Sequence, residues 1–129
     1  DDDDADDVCK LVLSCDQAMI VGDLNFHQED ESCLIQAPMI DVWKQINPNR
    51  SHVESVTWDA TVNSLIQRMY LNIETRQMRL DRVLLSQTNN DVVKATKIER
   101  FGDKKLEFDD ETKPNYLFPS DHFGLLTEL

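Results

Sequence analysis

The sequence has no long hydrophobic run and begins with acidic residues. No apolar stretch approaches the roughly 20 residues that a transmembrane helix needs, and a secretory signal would be basic and then apolar at the N-terminus. We therefore expect a soluble chain with no membrane span and no visible targeting signal. With 129 residues, 40% of them hydrophobic, the chain is the size of one compact domain or of part of a larger one.

Cysteine is scarce, and its spacing fits none of the common cysteine-based frameworks. The three cysteines, Cys9, Cys15 and Cys33, are odd in number and include no C-x-x-C pair. This usage favours a reducing, intracellular environment over a disulfide-stapled secreted domain. A zinc site built from Cys33 and His27 would lack a second pair of ligands at metal spacing, so buried or incidental thiols are the favoured interpretation.

Positive charge is also scarce, although it is concentrated in one region. The chain has 13 Lys and Arg against 25 Asp and Glu, and a formal net charge of −12 ordinarily disfavours a nucleic-acid partner. Six of the acidic residues lie in DDDDADD (1–7), where contiguous like charges predict disorder. The segment from Arg68 to Arg82 contains four arginines and only two acidic residues, Glu74 and Asp81. This local excess fits a nucleic-acid contact and an ordinary solvated surface equally well.

Hydrophobic periodicity predicts an α/β chain whose second half is mainly sheet. Apolar residues at helical spacing predict a short helix at 8–15, and MIDVWKQI (39–46) predicts another that ends at an NPN turn. We predict strands at residues 18–21, 79–86, 92–101 and 122–129, and a strand or extended piece at 55–58 that ends at Asp59. Residues 102–119 are polar, contain two prolines and predict a loop. No internal repeat or domain boundary is apparent.

Polar residues accompany three of the predicted strands. Asp23 and Asn25 follow the first strand, Asp81 lies inside an aliphatic strand, and PSDH (119–122) begins the last one. Gly-Asp after a strand is more often a turn than a catalytic pair, and a lone histidine in a strand is more often structural. A buried carboxylate, however, is costly unless it is paired. Asp81 therefore needs a partner, and His122 is the obvious candidate.

Five motifs follow one another along the chain in an order that we recognise. They are IVGDLNF (20–26), DVW (41–43), TWDATVNS (57–64), RLDRVLL (79–85) and FPSDHFGLL (118–126). Together they resemble the C-terminal half of the catalytic domain in the endonuclease/exonuclease/phosphatase superfamily, and within it the tyrosyl-DNA phosphodiesterase 2-like branch. The resemblance implies that residues 8–129 are half of a two-sheet α/β sandwich, the DNase I-like fold, preceded by an acidic disordered segment at 1–7.

The resemblance also implies an activity and four catalytic residues. The expected enzyme is a nuclear, magnesium-dependent phosphodiesterase, with manganese as a substitute, that hydrolyses 5'-phosphotyrosyl DNA ends in the repair of covalent topoisomerase adducts. By resemblance, Asp23 positions or activates the attacking water and Asn25 holds the scissile phosphate. His122 stabilises the charge that develops on the phosphoryl oxygens, and Asp81 orients His122. Such chemistry depends mostly on positioning and electrostatic stabilisation, with a metal neutralising charge.

Three further roles follow from the same resemblance. Trp58 is expected to be a platform on which a DNA base stacks, a contact worth roughly 1 to 3 kcal/mol per base, instead of a core or edge aromatic. Ser120 is assigned to substrate binding. Asp121 is assigned to the metal or its bound waters.

The chain departs from the family pattern because half of the active site is missing. In that superfamily an earlier half-domain supplies a metal-binding glutamate and a phosphate-contacting asparagine, and here no glutamate ends a hydrophobic strand. We therefore expect a missing N-terminal half-domain or a second polypeptide to cover an otherwise exposed apolar sheet face. The alternatives are a non-catalytic half-domain and a superfamily phosphodiesterase or nuclease that acts on abasic DNA, RNA or phospholipid.

Overall fold

The computed structural model describes residues 15–26, 39–86, 93–106 and 118–129. Within these ranges the chain is a mixed α/β structure, as the periodicity predicts. In chain order the elements are β1 (Met19–Asp23), β2 (Met39–Asp41), α1 (Val42–Ile46), α2 (His52–Ser55), β3 (Trp58–Asp59), α3 (Ser64–Met69), β4 (Gln77–Met78), β5 (Asp81–Ser86), β6 (Lys97–Phe101) and β7 (Gly124–Glu128). No helix in the described ranges is long and apolar enough to cross a membrane.

The predicted strands are confirmed where an aliphatic run is long. The strands predicted at 18–21, 79–86, 92–101 and 122–129 correspond to β1, β5, β6 and β7, with shifted ends. The predicted helix at 8–15 falls almost wholly outside the described residues. So do Cys9, His27, Cys33, the acidic segment 1–7 and most of the loop predicted at 102–119.

Two predicted elements are wrong in part, because polar residues divide them. MIDVWKQI is not one helix, since its first three residues form β2 and the Asp41 carboxylate then caps α1 by accepting from the backbone N–H groups of Trp43 and Lys44. The strand or extended piece predicted at 55–58 and ending at Asp59 is confirmed at its end, because β3 ends at Asp59, but not at its start. Ser55 ends α2, and pairing in this segment begins at Trp58.

The central strand β5 organises the sheet that carries the site. It pairs antiparallel with β1 on one side and with β2 on the other. The register places Asp23, at the end of β1, directly opposite Asp81, at the start of β5. Because paired residues point to the same face of a sheet, the two carboxylates lie side by side.

Two small hairpin-like sheets flank this central sheet. In one, β3 pairs with β4, and in the other β6 pairs with β7. Phe101 lies opposite Gly124 in the second sheet, and its ring covers the space that a side chain would fill at Gly124. An aromatic ring over a cross-strand glycine supports the pair at a position that otherwise has nothing to pack.

Two apolar clusters form the interior of the described residues. The first packs α1 and β6 against one face of β5, with Val42, Trp43, Val83, Leu85 and Ile98 buried. The second lies under α3 and contains Trp58, Ala60, Ile66 and Leu80. The segment between the clusters, residues 79–82, contributes both the start of β5 and Asp81, so the candidate site sits above a packed interior.

A buried ion pair lies beside the same segment. Arg79 donates to both carboxylate oxygens of Asp41 at 2.5 and 2.6 Å, and the two side chains are 4% and 8% exposed. Arg82, which is also buried, donates to the backbone carbonyl of Arg79. These contacts hold the residues just before Asp81 in place and connect them to the junction of β2 and α1.

Candidate active site

The Asp81–His122 pair that the sequence predicts is present. The carboxylate of Asp81 lies 2.8 Å from the Nδ1 atom of His122, and the two side chains are 21% and 26% exposed. Asp81 opens β5, whereas His122 belongs to the loop that leads into β7, so the contact joins residues 41 positions apart. The partner that a half-buried carboxylate requires is therefore the histidine.

Asp23 reaches the other side of the same imidazole ring. One of its carboxylate oxygens lies 4.0 Å from the Nε2 atom of His122. Its other oxygen accepts a hydrogen bond from the backbone N–H of Asn25 at 2.9 Å. Asn25 has a φ of 49°, a left-handed conformation that asparagine tolerates better than most residues. This turn ends β1 and leaves the Asp23 side chain 40% exposed beside the histidine.

A tight turn presents His122 to the site. The backbone N–H of His122 donates to the Ser120 hydroxyl at 3.1 Å, and that hydroxyl in turn contacts the Asp121 carboxylate at 3.4 Å. Ser120 is exposed and Asp121 half-buried. The structure thus brings Asp23, Asn25, Asp81 and the Ser120–His122 turn to one place. The roles of Ser120 in substrate binding and of Asp121 in metal binding stay predictions.

The arrangement sets the chemistry of the imidazole. A carboxylate only accepts hydrogen bonds, so Asp81 accepts from Nδ1–H, which leaves Nε2 directed toward Asp23. A protonated ring donates from Nε2 to an oxyanion, while Asp81 stabilises the imidazolium. The Asp23 carboxylate is positioned to accept a proton from a water on the same side.

Two fully buried residues belong to the site although the sequence analysis did not identify them. Thr57 accepts hydrogen bonds from the backbone N–H groups of Leu80 and Asp81, each at 3.1 Å. The Asn63 side chain donates to the carbonyls of Ser120 and Asp121 at 2.8 and 3.3 Å. Asn63 could have been recognised as a helix N-cap before SLIQRM. Thr57 opens the TWDATVNS motif, but its role is not visible in the sequence because its partners lie 23 and 24 residues away.

Trp58 is not the base platform that the sequence analysis predicts. Its side chain is 5% exposed and packs against Ala60, Ile66 and Leu80. Tyr70 meets it edge to face with ring centroids 6.0 Å apart, and the Arg76 guanidinium lies 5.8 Å from the ring centre. The prediction is wrong because a base needs an exposed ring face.

Two acidic side chains near His122 have the chemistry of metal ligands, but they do not form a metal site by themselves. Asp23 and Asp121 offer the carboxylate oxygens that Mg²⁺ prefers, and Asp23 is open enough to reach a hydrated ion. In residues 15–26, 39–86, 93–106 and 118–129, however, no group of three His, Cys, Asp or Glu side chains is close enough to hold a metal ion. A complete coordination sphere requires ligands from beyond these ranges.

Solved structures of TDP2 share the architecture of this chain. Truncated TDP2 of Caenorhabditis elegans has a TM-score of 0.62 and 20% identity, and the match covers 98% of this chain and 44% of that one. A humanized D. rerio TDP2 with 14 mutations has a TM-score of 0.64 and 18% identity, covering 95% of this chain and 45% of the other. D. rerio TDP2 complexed with single strand DNA product has a TM-score of 0.67 and 20% identity, and the match covers 95% of this chain and 46% of that one.

The chain has the DNase I-like fold of TDP2. The predicted resemblance and the predicted α/β half-domain are confirmed at the level of the fold. The chain spans less than half the length of the TDP2 chains that it matches. No protein-family model and no curated protein sequence matches it.

Proposed function

We propose that this chain is part of a metal-dependent phosphodiesterase that hydrolyses 5'-phosphotyrosyl DNA ends. The observation that carries the proposal is the arrangement around His122, with Asp81 at 2.8 Å from Nδ1 and Asp23 at 4.0 Å from Nε2. Phosphoryl transfer needs a positioned water and a donor for the developing negative charge. The TDP2-like fold, into which the same residues were placed by resemblance, supports this assignment.

In the proposed reaction each residue acts from its observed place. Asp23 orients the attacking water and accepts its proton as the water oxygen bonds to phosphorus, while Asn25 holds a non-bridging oxygen of the scissile phosphate. The bond between phosphorus and the tyrosine oxygen breaks, and tyrosine leaves as a phenolate that takes up a proton from solvent. His122, kept in one orientation by Asp81, donates from Nε2 to the phosphoryl oxygens as charge develops. Ser120, exposed on the same turn, contacts the substrate.

We assign magnesium to the site, with manganese as a possible substitute. The ion would be held by Asp121, with its main glutamate ligand supplied from outside this chain. When bound, it neutralises charge on the phosphoryl group. Asp121 suits this role because it flanks His122 and its carboxylate is half-exposed.

An exposed apolar groove supports a missing half-domain as the partner that completes the site. The groove has a volume of about 380 Å³ and runs between β1 and β7, with Val83 of β5 in its lining. Met19 and Val21 on one side are 49% and 56% exposed, and Leu129 on the other is 56% exposed. Asp81 also lines the groove, so a segment packed there would reach the catalytic residues. An N-terminal half-domain or a second polypeptide is the proposed occupant.

We propose DNA as the substrate and the nucleus as the place of reaction. The D. rerio TDP2 of similar fold was crystallised with a single strand DNA product, which favours a DNA substrate over RNA or phospholipid. Six aspartates in residues 1–7 account for half of the net charge of −12, so the rest of the chain is less acidic than the total suggests.

The deciding experiment measures tyrosine release from a 5'-phosphotyrosyl oligonucleotide with magnesium and with EDTA. We expect metal-dependent release that His122→Ala lowers by about 100-fold or more, because the change removes transition-state stabilisation. His52→Ala is the matched control, since His52 is exposed on α2 away from the site. An oligonucleotide with a 5'-phosphate alone, an abasic duplex and a short RNA test the substrate class.

Two results would contradict the proposal. Equal rates for His122→Ala and the parent would remove His122 from the mechanism. Failure of the chain to release tyrosine, both alone and in the longest polypeptide that contains it, would favour a non-catalytic half-domain.

A further inference from the structure

We propose that Thr57 is the positioning residue that sets the geometry between Asp81 and His122. The catalytic part of this inference rests on the proposed function, whereas the structural part does not. Thr57 contacts neither substrate groups nor the imidazole. It acts through the backbone of the segments that carry the reacting side chains.

One buried hydroxyl fixes the start of β5. The Thr57 side chain is fully buried, and its oxygen accepts from the backbone N–H groups of both Leu80 and Asp81 at 3.1 Å. A hydroxyl oxygen has two acceptor sites, and both are used here. The backbone position from which the Asp81 carboxylate extends is therefore held by a side chain 24 residues earlier.

The main chain of Thr57 holds the other partner. Its carbonyl accepts from the backbone N–H of Phe123 at 2.7 Å, directly after His122. Its own N–H donates to the carbonyl of Met78 at 3.1 Å. Asp81 and His122 are thus each anchored, within one residue, to the same buried residue.

The third segment of the site is one hydrogen bond further away. The backbone N–H of Leu24 donates to the carbonyl of Leu80 at 3.1 Å, and Leu24 lies between Asp23 and Asn25. Leu80, whose N–H binds the Thr57 hydroxyl, therefore links Thr57 to the turn that presents Asp23. A shift of the hydroxyl contact displaces Asp81 directly and Asp23 through Leu80.

A hydroxyl at this position is required for reasons of shape and polarity together. Valine has nearly the shape of threonine but would leave two buried backbone N–H groups without an acceptor. Serine keeps the acceptor and loses a methyl group. Comparison of Thr57→Val with Thr57→Ser therefore separates hydrogen bonding from packing, and Thr57→Cys adds a weak acceptor in the same space.

The first test needs no substrate and uses the chain itself. Amide exchange at Leu80 and Asp81 is followed by NMR together with the Nδ1–H proton of His122, which Asp81 protects. We expect Thr57→Val to speed amide exchange at these two residues by about 10-fold or more and to remove the protected ring proton. Thr57→Ser is expected to retain both signals, and Thr57→Cys replaces Thr57→Val if the valine variant does not fold.

The second test measures turnover of the 5'-phosphotyrosyl oligonucleotide by the most complete active form. Thr57→Val is expected to lower kcat by about 100-fold with KM nearly unchanged, because displacement of about 1 Å at reacting groups costs that much. Thr61→Val is the matched control, since the Thr61 hydroxyl donates to Asp59 and accepts from Gln77, and neither is one of the site residues.

The outcomes separate this inference from the proposed function. Retention of the His122 ring proton and of kcat in Thr57→Val would overturn the positioning role, as would equal losses in Thr57→Ser and Thr57→Val. If the parent releases no tyrosine, the proposed function fails. The exchange and ring-proton measurements then still decide whether Thr57 positions the pair.

Discussion

At the scale of single residues, the Asp41–Arg79 ion pair is the interaction beside the site with the largest expected effect on stability. Both side chains are more than nine-tenths buried, and removal of Arg79 takes the closest cation from the buried Asp41 carboxylate and leaves it with Arg82 at 3.9 Å. We expect Arg79→Met to lower the free energy of unfolding by about 3 kcal/mol. Urea denaturation monitored by tryptophan fluorescence measures the change.

A surface pair provides the control for that measurement. Lys97 contacts Glu99 at 2.9 Å with both side chains about half exposed, so Lys97→Met should change stability little. If Lys97→Met and Arg79→Met lowered the free energy of unfolding by similar amounts, the buried position of the Asp41–Arg79 pair would make no difference to its effect on stability.

The Asp41–Arg79 pair also makes the stability of the protein depend on pH. Burial alone would raise the pKa of Asp41, but the hydrogen bonds and charge of Arg79 hold that pKa below its ordinary value of 3.8. Since the folded-state pKa is lower than the unfolded one, the stabilisation is complete above about pH 4 and is lost as the pH falls through the lowered value. Denaturation midpoints between pH 5 and 2 should fall less steeply in Arg79→Met than in the parent. If the midpoints of the parent and of Arg79→Met fell in parallel with pH, Asp41 would not be the source of the pH dependence.

The sequence predicts charged contacts at this scale better than backbone contacts. Asp81 and His122 could be paired from the sequence because an aliphatic strand with one carboxylate requires a partner. Thr57 and Asn63 could not, since they bind backbone groups, which every residue offers equally. The predicted role of Trp58 is wrong because an indole side chain occurs in protein cores as well as on binding surfaces, and the sequence does not distinguish the two.

At the scale of elements, α3 connects the interior to the Ser120–His122 turn. Asn63 caps this helix by accepting from the Leu65 N–H at 3.0 Å, and its amide holds the Ser120 and Asp121 carbonyls. Asn63→Ala should lower the free energy of unfolding by about 2 kcal/mol, because both functions are lost. Thermal or urea denaturation measures the loss.

A second variant separates the cap from the tether. Asn63→Ser keeps a capping oxygen but cannot reach the two carbonyls, so it should recover part of the stability while the turn at 120–122 exchanges faster. Protection of that turn equal to the parent in Asn63→Ser would show that the amide does not hold it.

Element boundaries were predictable where one period dominates. β5 contains the aliphatic run VLL, and its end at Ser86 is predicted, whereas it starts at Asp81, two residues after the predicted start. The predictions for segments 39–46 and 55–58 are wrong in part, because a helix cap at Asp41 and a one-turn helix at His52–Ser55 interrupt the hydrophobic pattern. Such breaks depend on local side-chain hydrogen bonds more than on periodicity.

At the scale of the whole molecule, the apolar groove between β1 and β7 predicts self-association of the isolated chain. Met19, Val21 and Leu129 are about half exposed along it, and such patches mark interaction surfaces. Sedimentation velocity should show species larger than 14.9 kDa that Val21→Lys reduces. Ile73→Lys is the control, because Ile73 is 81% exposed but lies outside the groove. A well-behaved monomer of the parent chain would contradict the prediction.

The pairing of Asp23 with Asp81 has a consequence for how the strands find their alignment. A slip of two residues between β1 and β5 would keep every side chain on its face and would match Val21 with Leu85, a good apolar pair. The same slip would set Asp23 against buried Val83 and carry it about 7 Å from its present neighbour. Two like charges opposite each other cost some stability in the native register, but burying the Asp23 carboxylate against Val83 is costly as well. A carboxylate proposed for catalysis therefore also disfavours this misalignment of the two strands.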